Sequence, residues 1–293
     1  MVGIEEQAAV VALARRPDAS RPAIAELVSA RGSALDVLRF PDAGATGQET
    51  LFDIPASHEP LEPIIEEIRG WNREGIRLLT VLDSDYPANL RHVRDRPAFL
   101  FARGESRTDE LSVAVVGTRH PSDAGIRQAT QIARGLAEHG VTVISGLAQG
   151  IDTAAHVAAL SVRGRTVAVI GTGLRRAYPA QNAALQNQIG RFGLVLSQFW
   201  PDAPPTKQSF PLRNAVITGC CLATVVIEAQ ERSGTRIAAR LAHEQGRQVF
   251  LVSSLLEQEW ARQFSKLPNT TVVDNASDVF NALEATRRTP EPC

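Results

Sequence analysis

Cysteine is scarce in this chain. The three present, Cys220, Cys221 and Cys293, form neither a disulfide framework nor a CxxC or Cys/His spacing that would hold zinc. No apolar run approaches the roughly 18 residues that span a bilayer. The first 30 residues carry Glu5, Glu6, Arg15 and Arg16 where a secretory leader needs a basic start and an unbroken apolar stretch. A cytoplasmic protein without membrane contact is therefore expected. Aromatic residues make up only 5%, but 44% hydrophobic and 22% charged residues exclude disordered, collagenous and fibrous classes. The 293 residues allow about two domains of roughly 150 residues each.

A large excess of either charge is also missing. The net charge of -1 excludes a histone-like polycation, but the balance is uneven: residues 1–105 hold 12 basic against 17 acidic side chains, and residues 106–293 hold 19 against 15. Only Lys207 and Lys266 of the 31 basic residues are lysines. Genomic base composition accounts for that bias as readily as function does, although arginine is the better bidentate phosphate ligand.

Helical spacing of apolar residues in EEQAAVVALARR and AIAELVSARGSALDVL, interrupted at Pro17, Pro22 and Gly32, predicts a small helical module over residues 5–40. Residues 41–60 lack periodicity and are rich in Pro, Gly, Ser and Thr, as a linker or long loop is. A second helix follows in LEPIIEEIRGWNREG, with Ile64, Ile65, Ile68 and Trp71 on one face. The next stretch, IRLLTVLDSDYPANLRHVRDRPAFLFARG, reads as strand, turn, short helix and strand. A boundary near Gly104 separates an accessory domain, 1–104, from a second domain, 105–293.

From Leu111 the pattern changes to short β-branched runs alternating with amphipathic helices. The runs are SVAVVG, VTVISG, TVAVIG, LVLSQ, ATVVIEA, QVFLV and TTVVD. Near-continuous apolar strands separated by helices predict a doubly wound α/β domain, its mostly parallel sheet covered on both faces. Ligands of such sheets bind beyond the carboxyl ends of the strands. Four glycine-containing turns lie there: Gly117 to Ser122, Ser145 to Asp152, Gly171-Thr172-Gly173, and Glu228 to Thr235. Each alone is ordinary turn geometry, while four together form an anion or phosphate site of backbone N–H groups and helix N-termini. The first turn, GTRHPSDAG, lacks the dinucleotide fingerprint GxGxxG, and GxxxxGK[ST] is absent as well. Hydride transfer and NTP hydrolysis are thereby disfavoured.

Five motifs in order, VAVVGTRHPSDAG, VTVISGLAQGIDTAAHVAAL, GRTVAVIGTGLRRAYPAQNAAL, SFPLRNAVITG and TVVIEAQERSGTRIAARLAHEQGRQVFLV, resemble the DNA-processing protein A (DprA/Smf) family. The resemblance implies a Rossmann-like domain that binds single-stranded DNA, dimerises, and hands incoming strands to a RecA-type recombinase in natural transformation. It implies no cofactor, no metal and no catalytic residue. Carried over by position, Arg119 resembles the family's strand-contacting arginine, and Lys207, Arg213 and Asn214 the basic side of its pocket. Gly117, Thr118, Ser122, Ser145, Gly146, Gly171, Gly173, Ser233, Gly234 and Thr235 would supply phosphate donors. A basic groove with stacking faces suits a single strand. Phe210, Phe199 and Trp200 are the nearest aromatic candidates, with core or interface packing as the plainer reading.

His156 follows Asp152 by four residues on one helix face, and one His with one Asp is too few for a catalytic zinc. A structural role at a helix N-terminus is expected for this pair. His120 is read equally as a phosphate contact or an exposed turn residue. Glu228 and Glu231 read as acid/base carboxylates or as a strand-end cap and a solvated charge.

The chain departs from the family pattern at Gln149, where arginine is usual, and at Ala215 in RNAVITG. The family's proline-glycine and its SxGxN-like stretch are replaced by LLEQEWARQFSKLPN, and no C-terminal winged helix is expected beyond about residue 285. A second reading is a small-nucleotide sensor using the same crevice, with anti-phage defence as one such duty. A third is an enzyme of the nucleotide phosphoribohydrolase fold. Its PGGxGTxxE-like signature needs a glutamate where Ser233-Gly234-Thr235 is followed by Arg236, Ile237 and Ala238.

Overall fold

The computed structural model describes residues 2–17, 20–40, 60–229 and 234–288. All but position 60 of the segment read as a linker lies outside them, as do Glu231, Ser233 and Cys293. The chain opens with helices α1 (Ile4–Ala14), α2 (Arg21–Arg31) and α3 (Ala34–Arg39), followed by α4 (Glu62–Arg73). Pro22 begins α2 rather than breaking it, because proline is tolerated where the first-turn N–H has no helical partner. Gly32 ends α2 at φ 71°, a left-handed conformation that glycine adopts without a β-carbon penalty. Glu6 of α1 accepts from the amides of Ala34 (2.6 Å) and Leu35 (3.2 Å), so a carboxylate sits on the positive end of α3.

Strands β1 (Arg77–Thr80) and β2 (Phe99–Gly104) follow, with a 3-10 turn, Asn89–His92, between them. The remaining elements alternate: β3 (Ser112–Val116), α5 (Asp123–Glu138), β4 (Thr142–Ser145), α6 (Ile151–Ser161), β5 (Thr166–Val169), α7 (Ala183–Phe192), β6 (Leu194–Ser197), α8 (Ser209–Gly219), β7 (Ala223–Val226), α9 (Gly234–Glu244), β8 (Gln248–Val252), α10 (Glu259–Phe264), β9 (Thr270–Val273) and α11 (Ala276–Arg288). All seven β-branched runs are strands.

They form one nine-stranded sheet in the order β1-β2-β6-β5-β4-β3-β7-β8-β9. The pairs from β6 through β9 are parallel, whereas β2 joins β6 antiparallel, Phe101 opposite Ser197, and β1 joins β2 antiparallel. The sheet thus runs through residues on both sides of Gly104. Successive residues of β3 face opposite layers: Val113 and Val115 pack beneath α5, α6 and α11, while Ala114 and Val116 join the core under α8, α9 and the N-terminal helices. Trp71 and Trp200 pack on Phe101 at 5.0 and 5.7 Å between ring centroids, and Trp200 also on Phe99 at 5.2 Å. Arg21 lies over the Phe99 and Trp200 rings, which ties α2 to the sheet.

The strand order places the ligand site. From β3 the chain steps outward through β4, β5 and β6, then returns past its starting point to β7, β8 and β9. The turns after β3 and β7 therefore leave in opposite directions and open a crevice at this switch point. Among the described residues, no helix is long and apolar enough to cross a membrane.

Candidate nucleic-acid interface

Above the carboxyl ends of β3 and β7 lies a crevice of about 380 Å³. It brings together Gly117, Thr118, Arg119, Arg213, Asn214, Gly234 and Thr235 from the sequence-predicted set, and adds Phe210, His120 and Asp152. Thr206 and Ser209 fix the start of α8 by exchanging bonds, Ser209 N to Thr206 Oγ1 at 3.0 Å and Thr206 N to Ser209 Oγ at 3.1 Å. Phe210, Arg213 and Asn214 then share a helix face by their spacing of three and four, and that face is turned to the crevice. Asn214 Nδ2 donates to the Gly234 carbonyl at 3.3 Å, linking α8 to the first residue of α9.

Phe210 is the centre of the constellation. The Arg119 guanidinium lies 4.9 Å from its ring centroid and that of Arg213 lies 6.0 Å away, while Tyr178 packs on the same ring at 5.6 Å. A cation over an aromatic face is attracted by the ring quadrupole, so the ring orients both arginines. The plainer packing reading describes Trp200, which is in the aromatic core, whereas Phe210 packs on Tyr178 and also lines the crevice. Only the spacing of Phe210 from Arg213 and Asn214 signalled its place, and Tyr178, in a loop after β5, gave no local signal.

Arg213 is only 5% exposed and its Nη1 stands 3.6 Å from Asp152 Oδ2. The carboxylate also accepts from the amides of Gly146 (3.1 Å) and Ala148 (3.3 Å), fixing the second turn on the N-terminus of α6. Burial pushes the Asp152 carboxyl up, opposed by Arg213 and these amides. Burial likewise lowers Arg213, opposed by Asp152. Beneath the pair, His156 is fully buried and held by Thr166 Oγ1 at 2.7 Å. Burial and then the Arg213 charge depress it to about 3, so it is a neutral packing residue. Neither Arg213 Nε nor His156 Nε2 has a hydrogen-bond partner among the described residues.

Other residues expected to bind phosphate are engaged elsewhere. Ser122 caps α5 by accepting from Gly125 N at 3.0 Å, and its own amide and hydroxyl donate to Glu228 Oε2 at 3.0 and 2.9 Å. Glu228 is thus the anion at the start of α5. Ser145 Oγ donates to the Val115 carbonyl at 2.7 Å and Gly146 N to Asp152. Gly173 N donates to Ala203 O at 2.9 Å, and its α-carbon lies against the Trp200 and Pro201 carbonyls. Gly171 sits beneath the Phe210 ring. Lys207 is exposed in the loop before α8 and does not line the crevice. The turns after β3 and β4 thus have N–H donors taken by the protein's own carboxylates, and among the described residues the cationic side chains at the crevice are Arg119 and Arg213. Among the described residues no group of His, Cys, Asp and Glu is arranged to hold a metal.

The family model for DNA recombination-mediator protein A matches residues 77–285, from the start of β1 into α11. DNA processing protein DprA of Streptococcus pneumoniae is 45% identical over 174 residues, 59% of this chain and 61% of that protein. Protein Smf of Synechocystis is 39% identical over 240 residues, 77% of this chain and 56% of that one. The chain therefore spans less than two thirds of the length of these two relatives. DNA processing protein DprA of Bacillus subtilis is 32% identical over 220 residues, 74% of either chain. An X-ray structure of DNA processing protein A from Streptococcus pneumoniae superposes with a TM-score of 0.67 and 30% identity over 95% of both chains. A structure of the Helicobacter pylori protein, described for its single-stranded DNA binding mode, superposes with a TM-score of 0.63 and 26% identity, covering 72% of this chain and 96% of that one. Matched in sequence from the first strand of its sheet to the last helix, and in fold over nearly its whole length, this chain belongs to the DNA recombination-mediator protein A family.

Proposed function

We propose that this chain binds single-stranded DNA in the crevice at the β3/β7 switch point, and that as a cytoplasmic homodimer it protects incoming strands and loads a RecA-type recombinase. The family is one of recombination mediators, not of enzymes, and no chemical step is assigned to the site. The observation that carries the reading is the Phe210 ring beside Arg119 and Arg213. Single strands are held without sequence preference by an aromatic face for a base and cations for its phosphates, and this crevice offers both. Arg119, exposed at the mouth, meets the backbone, while the buried Arg213 sets a positive floor. The single-stranded DNA binding described for the Helicobacter pylori relative supports the same ligand.

Fluorescence anisotropy of a labelled oligothymidine at two salt concentrations tests the reading. Affinity that falls with salt, with a slope lowered by about 0.7 in Arg119→Ala, is the expected result. Salt-independent or absent binding overturns it. A small-nucleotide ligand is the second reading, favoured by the crevice volume of about 380 Å³, within the roughly 300–1,000 Å³ of small-molecule sites. Calorimetric heat on adding mononucleotides, with no oligonucleotide binding, would decide for it.

A further inference from the structure

The crevice opens into a second, larger depression of about 760 Å³ that shares Arg119 and His120 with it and runs between α5 and α6. We propose that this α5/α6 groove carries the next nucleotides of the same single strand, a proposal that rests on the crevice binding single-stranded DNA. Three observations point to that occupant, and the first is charge. The titratable residues lining the groove are Arg119, His120 and Arg134, with no carboxylate among them. Arg134 forms no ion pair among the described residues, and Glu138, one turn further along α5, does not reach it. Its only charged lining residues are thus the two arginines, and in a chain of net charge -1 such a cleft is complementary to a polyanion.

The second observation is the apolar wall. Ile126 of α5 and Val157 of α6 line the groove 42% and 50% exposed, above the small side chains Ala154 and Ala158. Flat bases bury such faces against aliphatic carbon while their phosphates stay on the cationic rim. The third is continuity. Arg119 lies on the Phe210 ring on one side and lines the groove on the other, so a strand leaving the crevice meets the groove at this shared arginine. Gln149 stands exposed on this path, a neutral side chain beside the arginines.

The test compares the full chain with its Arg134→Glu, Val157→Asp and Gln149→Arg variants, each checked by circular dichroism for an unchanged fold. Anisotropy is read with oligothymidines of about three and about twenty nucleotides, within the crevice and beyond it. The expected result is that Arg134→Glu and Val157→Asp weaken the long strand several-fold and leave the short one unchanged. Arg134→Glu also lowers the long strand's salt slope by about 0.7, and Gln149→Arg tightens the long strand alone. Long-strand affinity unchanged in Arg134→Glu, while Arg119→Ala still weakens both lengths, overturns the groove and leaves the crevice standing. A Val157→Asp variant that changes oligomeric state in sedimentation but not strand affinity assigns the face to a second copy and overturns it too. Wild type that binds neither length removes the crevice reading and the groove with it.

Discussion

The guanidinium of Arg213 fills the space above the α-carbon of Gly146, its Nη1 lying where a β-carbon would stand and Asp152 Oδ2 2.8 Å from that place. Any side chain at Gly146 therefore drives Arg213 off its seat and away from Asp152. Gly146→Ala is expected to destabilise the fold by about 1–3 kcal/mol, as overpacking does, and to weaken strand binding as far as Arg213→Ala does. In an Arg213→Ala background the methyl meets no guanidinium, so a double-mutant cycle in urea should show a coupling of about 1 kcal/mol or more. Additive effects would mean that Gly146 does not seat the arginine.

Phe210 joins the two arginines, and Phe210→Ala should weaken oligothymidine and mixed-sequence strands alike by about 1–3 kcal/mol, the contribution of one stacked base. Phe210→Leu keeps the volume and loses the ring face, and is expected to recover stability but not affinity. Anisotropy alongside thermal unfolding separates the two. Full affinity in Phe210→Leu would leave the ring with packing alone.

Acid stability should carry the signature of His156. Thr166 Oγ1 donates to the Val143 carbonyl at 2.7 Å, so it accepts from Nδ1–H, and the ring is neutral with its pKa depressed to about 3. In the unfolded chain the imidazole titrates near 6.5. Between those values the unfolded state holds more protons, so stability rises with pH there and is lost as pH falls below about 6.5, by about 2 kcal/mol at pH 5. Thermal unfolding from about pH 7 to about pH 5 should fall more steeply for wild type than for His156→Gln. Parallel profiles would show that His156 does not titrate on unfolding.

Glu228 holds the amide and hydroxyl of Ser122 at the start of α5, beside the crevice. Glu228→Ala removes a helix-end carboxylate and should destabilise by about 0.5–2 kcal/mol. It also frees Ser122 donors and deletes a negative charge near the strand, so affinity for single-stranded DNA should increase. A destabilised variant with unchanged affinity would confine Glu228 to capping.

Local pattern was enough for the elements themselves. Seven β-branched runs, the helix carrying Ile64, Ile68 and Trp71, and the first turn with Gly117 and Arg119 all stand where hydrophobic period and turn residues placed them, because these signals reside within a few neighbouring residues. Strand order does not reside there. That β7 pairs with β3, and β2 with β6 in the opposite sense, is decided by which faces bury together across about a hundred residues, and only this order makes the β3/β7 gap the crevice. Donor commitment is equally non-local: Ser122 has the makings of a phosphate ligand in sequence, and Glu228, 106 residues away, takes its donors in the fold. Residue chemistry and period were thus written in the chain, whereas the Phe210 ring beside two arginines and the burial of Arg213 over Gly146 exist only once distant backbones have packed, because hydrogen bonding and burial are properties of neighbours in space.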